Sequence, residues 1–150
     1  MDESKIKIRL MRSDDFDAIV DIDTKVLELS RPDYYELKFD KLIKSNDYLP
    51  ASLVAVDEKG SVVGFVMGEL YMGEYGILQE GANLDTIGVH PDFQRQGIGK
   101  KLINEFIDHL KKLGVEKINT LVGWNDARLI RFFSANQFSP SKTINLERHL

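Results

Sequence analysis

One junction leaves this chain little freedom in how it folds. Residues 84–101 read Leu84-Asp85-Thr86-Ile87-Gly88-Val89-His90-Pro91-Asp92-Phe93-Gln94-Arg95-Gln96-Gly97-Ile98-Gly99-Lys100-Lys101. The run from Asn83 to His90 has strand character and is stopped by Pro91. A short polar loop reaches Gly97 and Gly99, and a helix follows over Lys101–Leu113. Leu102, Ile103, Phe106, Ile107, Leu110 and Leu113 make its apolar stripe, and Gly114 suits the C-cap. A stripe of this kind must be buried against a sheet or another helix. The junction is also an anion site in outline. Glycines let a ligand approach the backbone, the first-turn N–H groups have no intrahelical acceptors, and the helix dipole is positive there. Arg95, Lys100 and Lys101 add cations nearby.

The rest of the chain supplies a sheet to bury that stripe. Ile6, Ile8 and Leu10 alternate with Lys5, Lys7 and Arg9, as in a strand. Ser13 and Asp14 are placed to cap a helix carrying Phe16, Ile19, Val20, Val26 and Leu27. Pro32 opens a second helix, with Tyr35, Phe39, Leu42 and Ile43 on one side. Leu53–Val56, a turn at Asp57-Glu58-Lys59-Gly60, and Ser61–Tyr71 predict a hairpin. Gly73–Gly81 reads as loop. Lys117–Val122 predicts a strand, and Asp126–Ala135 a short helix with Leu129, Ile130 and Phe133 inward. Thr143–Leu150 alternates like a closing strand. The order predicts an α/β (α+β) fold: one mixed sheet with helices on both faces.

The 150 residues suit a single domain over 1–150. A net charge of −4 gives no excess of the sign that nucleic acid or a membrane surface attracts, so neither is expected as a partner. With no cysteine there is no thiol nucleophile or zinc–thiolate site, and the composition fits a cytoplasmic protein. The N-terminus has no apolar h-region, and no stretch approaches the ~20 residues that span a bilayer. His90, His109 and His149 are far apart, and no metal constellation is visible. His109 falls on the polar side of its helix and reads as solvated. No Gly-x-Ser-x-Gly elbow supports a hydrolase.

Other phosphate motifs fail on detail. A P-loop ending at Gly99-Lys100 would need glycine at Gln94 and Ser or Thr at Lys101. The dinucleotide fingerprint needs a third glycine where Leu102 stands. Gln94-x-x-Gly97-x-Gly99, after Ile87-Gly88-Val89-His90-Pro91, instead resembles the pyrophosphate motif of the GNAT superfamily of N-acetyltransferases, and the element order agrees from end to end. The resemblance implies a mostly antiparallel sheet of six to seven strands, splayed between the fourth and fifth. It implies acetyl-CoA as acyl donor, with transfer to a primary amine, of a small molecule or of a protein lysine or N-terminus. Backbone N–H groups of Arg95, Gln96, Gly97, Ile98, Gly99 and Lys100 would hold the pyrophosphate, with Gln94 opening the motif. Ile87 and Val89 would pair with the pantetheine arm, one of their N–H groups polarising the thioester carbonyl, and Gly88 would suit the bulge that makes room.

Direct attack needs a deprotonated amine and a stabilised thiolate. Asp85 is the candidate base, on the reading that Asn83, Asp85, Ile87 and Val89 share one strand face. The tyrosine acid of the family corresponds to Phe133, which donates no proton and is counted with the cofactor contacts. Tyr71 and Tyr75 are substitutes. The family asparagine that meets the pantetheine arm falls at Asp126, with Asn125 one residue away. The family's glycine before Phe138 is Gln137. Trp124 reads as a core residue, with packing near the cofactor as the alternative. Glu28, Arg31, Tyr34, Tyr35, Glu69, Tyr71, Glu74 and Glu80 lie in the segments that shape the acceptor pocket in such enzymes. A homodimer through an apolar edge strand is open to the chain. Phe133 also keeps a second function in view, a non-catalytic acyl-CoA-binding or sensing module. A plain interaction domain that binds no CoA is the third.

Overall fold

The computed structural model describes residues 5–44, 50–71 and 81–150, with Tyr71 described through its backbone alone. Tyr75, Glu74 and Glu80 lie outside the described residues, as does the Tyr71 side chain. The elements are β1 (Lys7–Leu10), α1 (Phe16–Leu27), α2 (Pro32–Leu42), β2 (Leu53–Val56), β3 (Val62–Tyr71), β4 (Gly81–Val89), α3 (Ile98–Lys112), β5 (Lys117–Asn119) and α4 (Ala127–Ala135). The chain divides into two compact units, residues 1–120 and 121–150.

The first unit is built on a five-stranded sheet in the order β1-β2-β3-β4-β5. The first four strands are antiparallel, and β5 runs parallel to β4. The hairpin of β2 and β3 is the one the sequence predicts, its turn held by Asp57, whose Oδ1 accepts from Lys59 N–H and Ser61 N–H.

Side-chain alternation along β3 assigns the two faces. Phe65 and Met67 point into a core with Ile19 and Ile22 of α1 and Tyr35, Phe39 and Leu42 of α2. Gly64 and Gly68 lie under α3. A Cβ on Gly68 would meet the Phe106 ring at 2.5 Å, so only glycine lets that ring sit on the sheet. The α3 stripe is as the sequence predicts, with Leu102, Ile103, Phe106 and Leu110 buried. His109, read as solvated, instead bonds through Nε2 to Pro50 O at 2.7 Å.

Asp15 ties β1 to α1. Its carboxylate takes two bonds from the Arg9 guanidinium, at 2.8 and 2.9 Å, and a third from Arg12 N–H at 2.8 Å. Burial pushes the Asp15 carboxyl up, but the Arg9 and Arg12 bonds together outweigh it and hold the group below its ordinary value.

In the second unit Asp126 caps α4, accepting from Leu129 N–H at 3.1 Å. Of the three residues expected inward, Phe133 is buried, Leu129 is partly covered and Ile130 is 42% exposed. Trp124 is not a core residue: it is 97% exposed. The closing strand expected at Thr143–Leu150 carries no regular structure, and Ile144 and Leu146 stand exposed. Among the described residues the sheet therefore has five strands rather than six to seven. Alternation marks side chains that could line a sheet, but a strand also needs a partner's backbone, which this segment lacks among the described residues.

Candidate functional site

The end of β4 is the centre of the candidate site. β4 pairs with β5 only from Gly81 to Asn83, opposite Lys117–Asn119. It then continues to Val89 while β5 has ended, and Thr120 Oγ1 donates to Leu84 O at 2.9 Å where the two part. His90 N–H bonds to Val63 O at 2.8 Å, so it faces β3. By antiparallel alternation Gly88 also faces β3, and the N–H and C=O groups of Ile87 and Val89 face the unpaired edge. Gln94 Nε2 confirms the direction by reaching Val89 O from that side, at 3.0 Å. Gln94 thus pins the loop onto the strand end.

The loop enters α3 without an ordinary cap. Gly97 occupies the N-cap position at φ 79°, so the cap residue offers no side-chain acceptor of its own, and the first turn holds no acid. The first helical bond runs from Lys101 N–H to Gly97 O. Arg95 also has a positive φ, 65°, which costs a residue with a Cβ about 1–2 kcal/mol. Strained backbone of this kind concentrates where a loop meets a ligand. The Gln96 side-chain oxygen is buried and has no hydrogen-bond partner among the described residues. Arg95 and Lys100 are exposed beside the loop. Lys101 has its Nζ bonded to Ile6 O, so the third expected cation holds the residue just before β1.

The register between β3 and β4 slips by one. Met67 opposes Thr86 and Gly68 opposes Leu84, leaving Asp85 as the extra residue of a bulge. The bulge is at Asp85 and not at Gly88, which pairs regularly with Phe65. The bulge also breaks the face shared by Asn83, Asp85, Ile87 and Val89. Past it, Thr86 and Gly88 oppose Met67 and Phe65 on the α1/α2 side, and Ile87 and Val89 lie on the other. Asp85 itself points toward α2: Lys38 Nζ lies 2.9 Å from its Oδ2, and their side chains are 22% and 16% exposed.

Helix α2 grips this stretch one turn at a time. Tyr34 O–H and Thr86 Oγ1 are 3.3 Å apart, Lys38 holds Asp85, and Lys41 Nζ holds Glu69 at 2.7 Å. Residues 34, 38 and 41 follow helical spacing along one face. The helix is braced at its start by Asp23, a buried residue of α1. Asp23 accepts from Arg31 Nε at 2.8 Å, from Arg31 Nη2 at 2.9 Å and from Tyr35 O–H at 2.7 Å. Arg31 also stacks over the Tyr34 ring, 4.5 Å from its centre. Burial first, and then the bond to Asp23, push the Tyr35 phenol far above its ordinary range, and Asp23 raises the Arg31 guanidinium as well. These bonds brace the start of α2 against α1.

Of the predicted acceptor-side residues, Arg31, Tyr34, Tyr35 and Glu69 are thus engaged within the fold, and Glu28 closes α1 at φ 58°. The sequence reading missed Lys38 and Lys41, because a lysine on a helix reads as solvated until the facing strand is known. In the second unit, Asn125 is exposed beside the Asp126 cap. Phe133 packs between Phe132 and Phe138, with ring centres 5.4 and 5.1 Å apart. Gln137 sits at φ 70°, the left-handed conformation that a glycine there would take without cost. Among the described residues no helix is long and apolar enough to cross a membrane, and no three His, Asp or Glu side chains group as a metal needs.

The site thus combines a parallel strand pair that ends after three residues with a helix that starts through a left-handed glycine just past the end of β4. The sequence matches the acetyltransferase (GNAT) family over residues 16–138. The chain belongs to the GNAT family of acetyltransferases. It is 29% identical over 145 residues to an acetyltransferase of Pectobacterium atrosepticum, covering 97% of this chain and 96% of that one. Its fold is similar to an aminoglycoside acetyltransferase from an uncultured soil metagenomic sample, solved with trehalose. There the TM-score is 0.77 at 22% identity, over 99% of this chain and 98% of that one. A second aminoglycoside acetyltransferase was solved with a bisubstrate analogue of CoA and monomethyl-acetylneamine. It gives TM-score 0.77 at 16% identity, over 97% and 98% of the two chains.

Proposed function

We propose that this acetyltransferase moves an acetyl group from acetyl-CoA to a primary amine, with residues 1–150 working as one catalytic domain. The observation that carries the reading is the uncapped, left-handed entry into α3 beside the open edge of β4. A pyrophosphate supplies what that helix start lacks, acceptor oxygens and negative charge. On this reading the N–H groups from Arg95 to Lys100 hold the diphosphate. The pantetheine arm lies along Ile87 and Val89, with Gly88 between them. Asn125, Asp126 and Phe133 remain cofactor contacts by family resemblance. The CoA-based ligand of the aminoglycoside enzyme is in keeping with this.

Acetyl-CoA supplies the activated acetyl group when bound. The chain's own residues do the rest. One N–H of Ile87 or Val89 donates to the thioester oxygen, an interaction whose loss costs about 2.7–4 kcal/mol in comparable sites. Asp85 takes the proton from the acceptor ammonium, directly or through one water. The leaving sulfur is protonated by a water or by one of the substitute tyrosines, Tyr71 or Tyr75, since the Phe133 ring has no acidic proton. The acceptor is a small-molecule amine or a protein amine.

Calorimetry with acetyl-CoA tests the binding half. Ligand at 100 times its Kd should stabilise the chain by about 2.7 kcal/mol. Gly97→Glu, which adds bulk and charge at the loop, should abolish that. Release of CoA across a panel of primary amines tests the chemistry. The buried, protonless Phe133 at the usual acid position favours a second reading, an acyl-CoA sensor. Tight binding with no turnover on any amine would select it.

A further inference from the structure

We infer that Lys38 is itself an acetyl acceptor, a modification site on α2 that the chain acetylates in cis. The inference rests on the reading that acetyl-CoA binds along β4 with Asp85 as base.

Any acceptor must bring a primary ammonium to Asp85. Lys38 has already done so: its Nζ is 2.9 Å from Oδ2, inside the range for direct proton transfer, and the pair is largely screened from solvent. Other lysines are engaged elsewhere, Lys25 with Asp21, Lys41 with Glu69, Lys44 with Asp40 and Lys101 with Ile6 O. The position is built and not incidental. Asp85 is the extra residue of the bulge, which turns its carboxylate toward α2. The Tyr34 ring lies 5.7 Å from Lys38 Nζ, and its hydroxyl meets Thr86 next to Asp85. Ile87, one of the two candidate donors to the thioester oxygen, is two residues along β4. That is about 7 Å at the rise of a strand, a distance a four-carbon stem pivoting on α2 can sweep. Being tethered, Lys38 competes with free amines at a high effective concentration.

The step balances without any further reactant. The Lys38 ammonium gives one proton to Asp85, and its nitrogen lone pair forms a bond to the acetyl carbonyl carbon. The carbon–sulfur bond breaks with its electron pair on sulfur. The nitrogen loses a second proton, the CoA sulfur gains one, and one is released to solvent. The product is a neutral amide. It no longer pairs with Asp85, so the carboxylate is left open to an incoming cationic acceptor.

The test is incubation of the whole chain with acetyl-CoA, followed by intact mass and peptide mapping, after calorimetry has established binding. The expected result is one acetyl group on Lys38, gained about 10-fold faster than on the exposed Lys59, the fraction modified per unit time being independent of chain concentration. Asp85→Asn should bind acetyl-CoA and lose that advantage. Lys38→Arg keeps a cation for Asp85 and should carry no such label. Binding with Lys38 unmodified, or modified no faster than Lys59, overturns the inference and leaves the proposed function standing. So does a fraction modified per unit time that rises in proportion to chain concentration. No binding heat removes both.

Discussion

The ring of Phe65 stands where a side chain on Gly88 would have to be. A Cβ built on Gly88 falls 2.9 Å from Phe65 Cε1, with Ile22 of α1 at 3.6 Å behind it. Gly88 is held in register opposite that ring, inside the strand that forms the candidate site. Gly88→Ala therefore overpacks the core and should destabilise the chain by about 1–3 kcal/mol in urea unfolding. Phe65→Leu makes room, so the double variant should be less destabilised than the sum of the two single ones. Strict additivity would mean that the ring does not set this constraint.

Asp85→Asn separates chemistry from binding. If Asp85 is the base, the acetylation rate should fall by about 10²–10⁴-fold, with acetyl-CoA affinity measured by calorimetry little changed. Unchanged turnover would remove Asp85 from the mechanism.

Asp15 predicts an acid limb in the stability curve. Its folded pKa lies below the ordinary 3.8, so the unfolded chain binds the proton more readily. The stabilisation from its bonds to Arg9 and Arg12 is then fully present above that value, and it is lost as pH falls through the folded pKa. Urea unfolding followed downward from pH 5 should show the loss, and Asp15→Asn should be less stable at pH 6 and flatter in acid. An equally steep acid limb in the variant would assign it to other carboxylates.

Gln137 holds a left-handed conformation just before Phe138. Relieving it with Gln137→Gly should stabilise the chain by about 0.5–1 kcal/mol, the strain released less the added freedom of the unfolded glycine. A drop in thermal midpoint would show that the glutamine side chain earns its place by a contact.

Period and punctuation determined much of the chain unaided. The α3 stripe, Pro32 at the start of α2, the Asp57 turn and the strand–loop–helix junction are local, and sequence patterns report local conformation faithfully. So was the loop legible, because glycine at Gly97 answers to a backbone angle of its own. Tertiary structure alone decided the rest. One extra residue at Asp85 reversed the face that strict alternation assigns. Which lysine meets which acid, Lys38 with Asp85 and Lys41 with Glu69, followed only once α2 lay over β3 and β4. The Thr143–Leu150 segment alternates like a strand yet pairs with nothing described, because a strand exists only against another backbone. Side-chain periodicity is written in the chain; register and cross-element pairing belong to the packed sheet.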